Sequence, residues 1–474
     1  MKKIIAVLVA AGVIGVPAAT WHFGNQAEAN AQNFATALSQ AVPYVTVAGS
    51  DYKKGFLSST QTIRLMPAIP GMDAKPGQEV VIENVIEHGP LPGFKSFGAA
   101  RITHNIVWAP ETKAKLAKVW GDQQPLTAVT TMSIGGGGST TFTSPAVTGK
   151  EAEGTFAFKG LDGKMNFNAN FDKIDYTLSS DGASFDDNKK EGFTLGKIAA
   201  SGEQTKMAGT EKIYLGKQQA SFAGMDVTKD GKPMLSIKQI AYNAESISPE
   251  ANFINSAGKL TGASLTMEGT DYGGLEYAFN MQKLHAPSLD ALSKSLQAEL
   301  GKMSADPKNA TAPSAMNDVM LKVFKQHLPE MSKHSPTFSI DKMRVGNAKD
   351  YAQLNVTARL LPIVAADFDN PMMMLPKIDA SMNVELSESI VALLSGQAAS
   401  KMGGADPAMM AKMTPEMKTQ ADAQTKQMVE AQLAGAVQEG YIVRGNGKIS
   451  AAIALKGGNL TINGKPIGGG MLGK

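Results

Sequence analysis

The sequence predicts an α+β fold that is mainly β: a long antiparallel sheet laid out as a meander, with two helical insertions and an N-terminal membrane helix. Three observations predict it. Apolar and polar side chains alternate with period two in many short segments after residue 44. Turn pairs such as Asp230-Gly231 and Asn463-Gly464 separate those segments, and one apolar run stands at the start. Alternation buries one face of a strand and wets the other, as antiparallel sheets do; parallel strands read as continuous apolar runs.

Lys2 and Lys3 precede apolar residues 4–19, and Trp21 and Phe23 follow. With Thr20 and Trp21 the run reaches about 18 residues, near the lower limit for crossing a bilayer. The lysines favour the cytoplasmic side and Trp21 suits the far interface. The expectation is a signal-anchor helix over 1–24 in an inner membrane, a single span, with the rest of the chain in the periplasm. A cleaved signal peptide competes with it, because Ala27-Glu28-Ala29 has the small-x-small form of a cleavage site. Residues 25–43 read as a polar helix or stalk that Pro43 ends. Residues 44–468 form the β-rich domain, and 469–474 a tail.

Alternation is clearest over 165–171, where Met165, Phe167, Ala169 and Phe171 oppose Asn166, Asn168 and Asn170. Residues 275–281, 354–360, 378–386 and 449–455 repeat the pattern. Gly457-Gly458-Asn459 and Asn463-Gly464 supply hairpin turns, because Asn-Gly readily takes positive φ. Asp162-Gly163, Asp181-Gly182 and Gly273-Gly274 read as further turns, which makes 130–285 one meander. Gly135–Gly138 reads as a flexible loop within it.

The helical insertions cover 288–328 and 387–437. In the first, Leu289, Leu292, Leu296 and Leu300 recur at helical spacing behind Pro287, and 314–328 continues the pattern until Pro329 breaks it. The second holds a Met-, Ala- and Gln-rich stretch over 407–437. No sharp composition shift marks a domain boundary.

Composition excludes several functions. The 474 residues contain no Cys, which removes disulfides, thiolate metal sites and Cys nucleophiles. A net charge of +3, without a dense basic run, gives no support to nucleic-acid binding. Neither a Walker loop nor a dinucleotide fingerprint occurs. The six His show no His-x-x-x-His pair, so no metal and no cofactor are expected.

Several blocks resemble the YdgA family of Gram-negative, inner-membrane-anchored proteins of unknown function. They are the anchor ending in Trp21 and Gly24; Tyr52-x-x-Gly55-Phe56-x-Ser58-Ser59; Glu87-His88-Gly89-Pro90-Leu91-Pro92; and the tail from Tyr441 through Asn446-Gly447 to Asn463-Gly464. The resemblance covers about 1–468. It implies the location and self-association ascribed to that family, and no reaction.

Candidate residues follow from these blocks. Tyr52, Gly55, Phe56, Ser58, Ser59, His88, Gly89 and Pro90 are signature positions, read as structural: Gly55 permits a bulge or turn, and His88 pins a Pro-rich corner. A nucleophilic Ser would need a nearby base and an oxyanion hole. Met409, Met410, Met413 and Met417 form a flexible apolar set suited to contacting varied partners, beside the plainer reading of helix core. The functional expectation is a binding or interaction protein whose apolar sheet face contacts lipid or an envelope partner. The alternatives are a structural or assembly homodimer, and a periplasmic hydrolase using His88.

Overall fold

A computed structural model describes residues 45–55, 57–67, 80–89, 91–151, 154–187, 190–305, 315–392 and 414–467. Within them the fold is mainly β, antiparallel, with few helices. The expected anchor over 1–24 and stalk over 25–43 lie outside the described residues. No described helix is long and apolar enough to cross a membrane. The chain divides into two compact units, Met1–Ile254 with His285–Leu328, and Asn255–Leu284 with Pro329–Lys474.

The first unit is a meander. Its opening strands are β1 (Val45–Lys53), β2 (Ser58–Pro67), β3 (Val80–His88), β4 (Ala100–Val107), β5 (Thr127–Met132) and β6 (Gly138–Ser144), each paired to the next. Helix α1 (Pro110–Trp120), unforeseen in the sequence, connects β4 to β5 and buries Leu116 and Trp120. Then come β7 (Val147–Glu151), β8 (Gly154–Phe158), β9 (Leu161–Phe167), β10 (Lys173–Ser180), β11 (Ala183–Asp187), β12 (Glu191–Leu195), β13 (Ile198–Lys206), β14 (Tyr214–Lys229) and β15 (Lys232–Ile247).

These later strands are longer than the labels suggest. Strands β6 and β7 pair with β9 and β8, and β12 and β13 both pair with β14. On the two sides of each interruption the pairing follows one register: Ser180 faces Ile198 and Ala183 faces Leu195, while Ile198 faces Phe222 and Leu195 faces Met225. Gly182 therefore falls opposite Gly196, and Gly196 opposite Gly224, whose carbonyl accepts its N–H at 2.7 Å. On the other side Gly182 falls opposite Lys159, whose N–H its carbonyl accepts at 2.9 Å, and Gly160 lies one residue off that line. The expected turn at Asp181-Gly182 is thus a crease inside a long strand. A Cβ on Gly182 would lie 2.1 Å from the Leu195 carbonyl oxygen, so only glycine lets the strands approach there.

Two other sequence readings change. Asp162-Gly163 lies within β9, where the Phe142 ring covers Gly163. The strand expected to reach Phe171 stops at Phe167; a turn over 168–172 places Phe171 at φ 56° and stacks its ring on Phe167 at 4.5 Å. Asp230-Gly231 does turn the β14–β15 hairpin.

Inward-facing residues Ile63, Leu65, Ile82, Ile86, Ile102, Met132, Met165, Phe167 and Phe171 form the main core of this unit. Helices α2 (Ala286–Ala305) and α3 (Ala315–Ser332) supply the first insertion. They are tied by His327 to Ser295 at 2.7 Å and Lys322 to Glu299 at 3.0 Å. Pro329 lies inside α3 rather than ending it. Its missing N–H leaves the helix one bond short, and the turn continues to Ser332.

The second unit contains β16 (Phe253–Gly262, shared at its start with the first), β17 (Ser264–Met267), β18 (Thr270–Asp271), β19 (Gly274–His285), β20 (Thr337–Gly346), β21 (Tyr351–Leu360), β22 (Ile378–Ser387), β23 (Val443–Gly445), β24 (Lys448–Lys456), β25 (Asn459–Ile462) and β26 (Lys465–Pro466). Strands β19, β20, β21, β22 and β24 pair in that order. The expected turns at 457–458 and 463–464 close the final hairpins. Helix α4 (Pro415–Gln438) lies in the second insertion.

Candidate functional site

The signature blocks meet where β2 begins and β3 ends. Ser59 Oγ lies 3.0 Å from His88 Nε2. Around them the backbone is tightly joined: His88 N–H donates to the Leu57 carbonyl at 2.8 Å and Gly89 N–H to that of Ala99 at 2.7 Å. A Cβ on Gly55 would lie 2.2 Å from the Ser58 carbonyl oxygen, and one on Gly89 2.1 Å from that of Gly98. Both glycines are positions of close backbone approach. Tyr52 packs on the main core, Ser58 is exposed, and Glu87 is held by Arg101 at 2.9 Å. Phe56 and Pro90 lie outside the described residues.

This arrangement joins a Ser to a His, yet Ser59 is only 2% exposed. A nucleophile must reach its substrate, and this hydroxyl faces the core. The pair fastens a strand start to a strand end.

The more extensive polar feature was missed in the sequence. Gln61, Asn84, His104, Thr130 and Thr140 are buried, one on each of five successive strands. Asn84 Nδ2 donates to Gln61 Oε1 at 3.2 Å, and Gln61 Nε2 to Ser50 Oγ at 3.3 Å. His104 Nδ1 lies 2.8 Å from Asn84 Oδ1, His104 Nε2 2.9 Å from Thr130 Oγ1, and Thr130 Oγ1 2.9 Å from Thr140 Oγ1. Burial lowers the His104 pKa from 6.5 to about 4, so the ring is neutral at pH 7. A neutral ring that donates from Nδ1 accepts at Nε2. Hydrogen bonds therefore run in one sense, from Thr140 through Thr130, His104, Asn84 and Gln61 to Ser50. The available signal was a polar residue interrupting each apolar row, as Asn84 does between Ile82 and Ile86.

The second unit presents a different surface. Cross-strand partners place apolar side chains in four rows on one face of five strands. One row runs Phe279, Ile340, Val356, Met382 and Ile453; the next runs Tyr277, Met343, Leu354, Val384 and Ala451. A bulge between Ile340 and Met343 absorbs one residue and returns Met343 to the apolar side. At roughly 4.8 Å between strands and 6.8 Å between like-facing residues, the face measures about 650 Å². Of these twenty positions only Ile449 is fully buried; Phe338 is 39% and Met343 45% exposed. The reverse face is polar. There Lys259 and Lys342 bind Glu276 at 2.8 and 2.7 Å and hold its carboxyl below the usual range.

Met409, Met410 and Met413 lie outside the described residues; Met417 falls within α4. Among the described residues, no three His, Asp or Glu gather in a form that could hold a metal.

The chain matches a family model described as "Bacterial protein of unknown function (DUF945)" over residues 1–468. It is similar to Protein YdgA of Escherichia coli K12, 23% identical over 490 residues, covering 97% of this chain and 93% of that one. It is also similar to the Uncharacterized protein YihF of the same organism, 24% identical over 357 residues, covering 71% and 72%. No solved structure matches.

Proposed function

The chain belongs to the DUF945 family of bacterial proteins of unknown function, and from that premise we propose that it is an envelope binding protein whose half-covered apolar sheet face takes the acyl chains of lipid. The single observation behind this reading is the four-row face of the second unit. Apolar surface left partly in water is costly, and contiguous patches of a few hundred Å² mark interaction sites. The proposal includes a place: residues 1–24 anchor the protein in the inner membrane, and the β-rich units lie in the periplasm. A second reading, face-to-face pairing of two copies, draws on the same area, which approaches the roughly 800 Å² per partner of a standard interface.

A photoreactive fatty acid added to the full-length protein in bilayers tests the proposal. Crosslinks are expected on β20–β22, and Val356→Asp should abolish them while leaving the circular dichroism spectrum unchanged. Crosslinks elsewhere, or none, overturn the acyl-chain reading. Protein–protein crosslinks between copies at Phe338 and Met343 would establish the second reading instead.

A further inference from the structure

We infer that the described strand-end residues 53–55, 57, 89, 91–99 and 133–137 of the first unit form a docking tip for an anionic bilayer surface. The register puts them side by side. Ser58 faces Glu87, His88 faces Ala100, and Ala100 faces Met132, so these turns close the same end of the six successive strands β1–β6. Backbone bonds fasten them together: His88 to Leu57, Gly89 to Ala99, and Ala99 to Met132 at 2.8 Å.

Their side chains point to a lipid interface. Leu57, Leu91, Phe94, Phe97 and Ile134 are all more than half exposed, Phe94 at 89%. Water is a poor solvent for five such groups at one end of a sheet. Phe94 also holds a φ of 57° directly after Gly93 at 56°. A bulky residue in left-handed backbone is an outlier, and outliers of this kind cluster at functional sites.

Charge selects the partner. The three segments contain Lys53, Lys54 and Lys95 and no Asp or Glu. Glu87, the carboxylate at the strand ends, is engaged by Arg101. Large apolar groups beside lysines are the composition that inserts at a headgroup boundary and is drawn to anionic lipid. A protein partner with an acidic apolar patch would meet the same residues, and the test separates the two.

Chain length is compatible with the proposed anchor. Strand β1 starts at the end away from the tip, and its nine residues span roughly 30 Å. The stretch from Trp21 to Val45 can cover that distance even at about 1.5 Å per residue, which is enough for the tip to reach a bilayer holding the proposed anchor. The inference stands on the first unit and does not depend on the acyl-chain face of the second.

Because the chain has no Cys, single cysteines can be labelled cleanly. The full-length protein carrying Phe94→Cys or Phe97→Cys, with a nitroxide on the thiol, is reconstituted into phosphatidylcholine vesicles with or without phosphatidylglycerol. Asp122→Cys, in the turn at the other end of the sheet, is the control. The tip labels should become accessible to oxygen and shielded from a water-soluble nickel chelate in the anionic vesicles, while the control stays wet. Replacing Lys53, Lys54 and Lys95 with Gln should lower the docked-to-free ratio roughly a hundredfold, at about fivefold per lysine. Tip labels as wet as the control in both vesicles overturn the inference, as does an anionic preference that survives loss of the three lysines. A protein that floats with vesicles yet keeps a wet tip overturns the tip alone; one that fails to float also overturns the anchor.

Discussion

His104 Nε2 accepts a hydrogen bond from Thr130 Oγ1 at 2.9 Å, on the nitrogen that a proton would have to occupy. Protonation in acid removes that acceptor and places a charge in a site with 5% exposure. One imidazole thereby makes the polarity of a six-strand hydrogen-bond ladder dependent on pH.

The first prediction is a loss of stability in acid. The His104 pKa falls from 6.5 unfolded to about 4 folded. Between those values the unfolded chain binds a proton that the folded chain does not. Stability is therefore complete above pH 6.5 and declines as pH drops toward 4, by about 3 kcal/mol from this group. Urea denaturation followed at pH 7.5 and 4.5 measures it. His104→Gln should flatten the dependence; an unchanged slope in that variant rules the ladder out as its source.

Asn84→Ala should cost more than a typical polar truncation. It removes the donor to Gln61 Oε1 and strands the Nδ1–H of His104 in the core. One buried donor left unpaired and a second buried hydrogen bond lost predict a cost of roughly 2–4 kcal/mol. Equilibrium unfolding would show it, and a loss under about 1 kcal/mol would mean that water fills the gap.

Ser59→Ala and His88→Ala should each destabilise modestly, and the double variant should lose less than their sum. A coupling of about 0.5–1.5 kcal/mol is expected for one part-buried hydrogen bond. Strict additivity in a thermal double-mutant cycle would refute the bond.

Gly182→Ala and Gly209→Ala both place a side chain at positive φ, 109° and 78°. Nothing lies within 4 Å of a Cβ at Gly209, so that change should cost about 1 kcal/mol. At Gly182 the clash with the Leu195 carbonyl should raise the cost to roughly 3 kcal/mol or more. Comparable melting temperatures for the two variants would argue against the crease.

Strand positions were readable wherever one face is apolar, as in β21 and β22, because period-two alternation follows directly from the pleat. Reading failed where glycine carries two meanings. Gly231 turns a hairpin while Gly182 creases a strand, and both follow Asp. Phe171 continues the alternation of β9 in sequence but leaves the strand, because the turn at 168–172 folds its ring back on Phe167. The Ser59–His88 pair joins residues 29 apart in sequence, and only strand pairing brings them together. The two-unit division passes through β16 and along α3, inside continuous elements where composition has nothing to mark.

The line through Gly182, Gly196 and Gly224 constrains how this chain can change length. Pairing obeys the same count on both sides of it, so adding one residue to a single strand would push every partner beyond the line to the wrong side of the pleat. Growth and loss are confined to hairpin tips such as Asp230-Gly231 and the turn at Gly209, or must arrive in matched pairs on neighbouring strands. Length differences among relatives should collect at those tips and leave the interiors of the long strands constant in span.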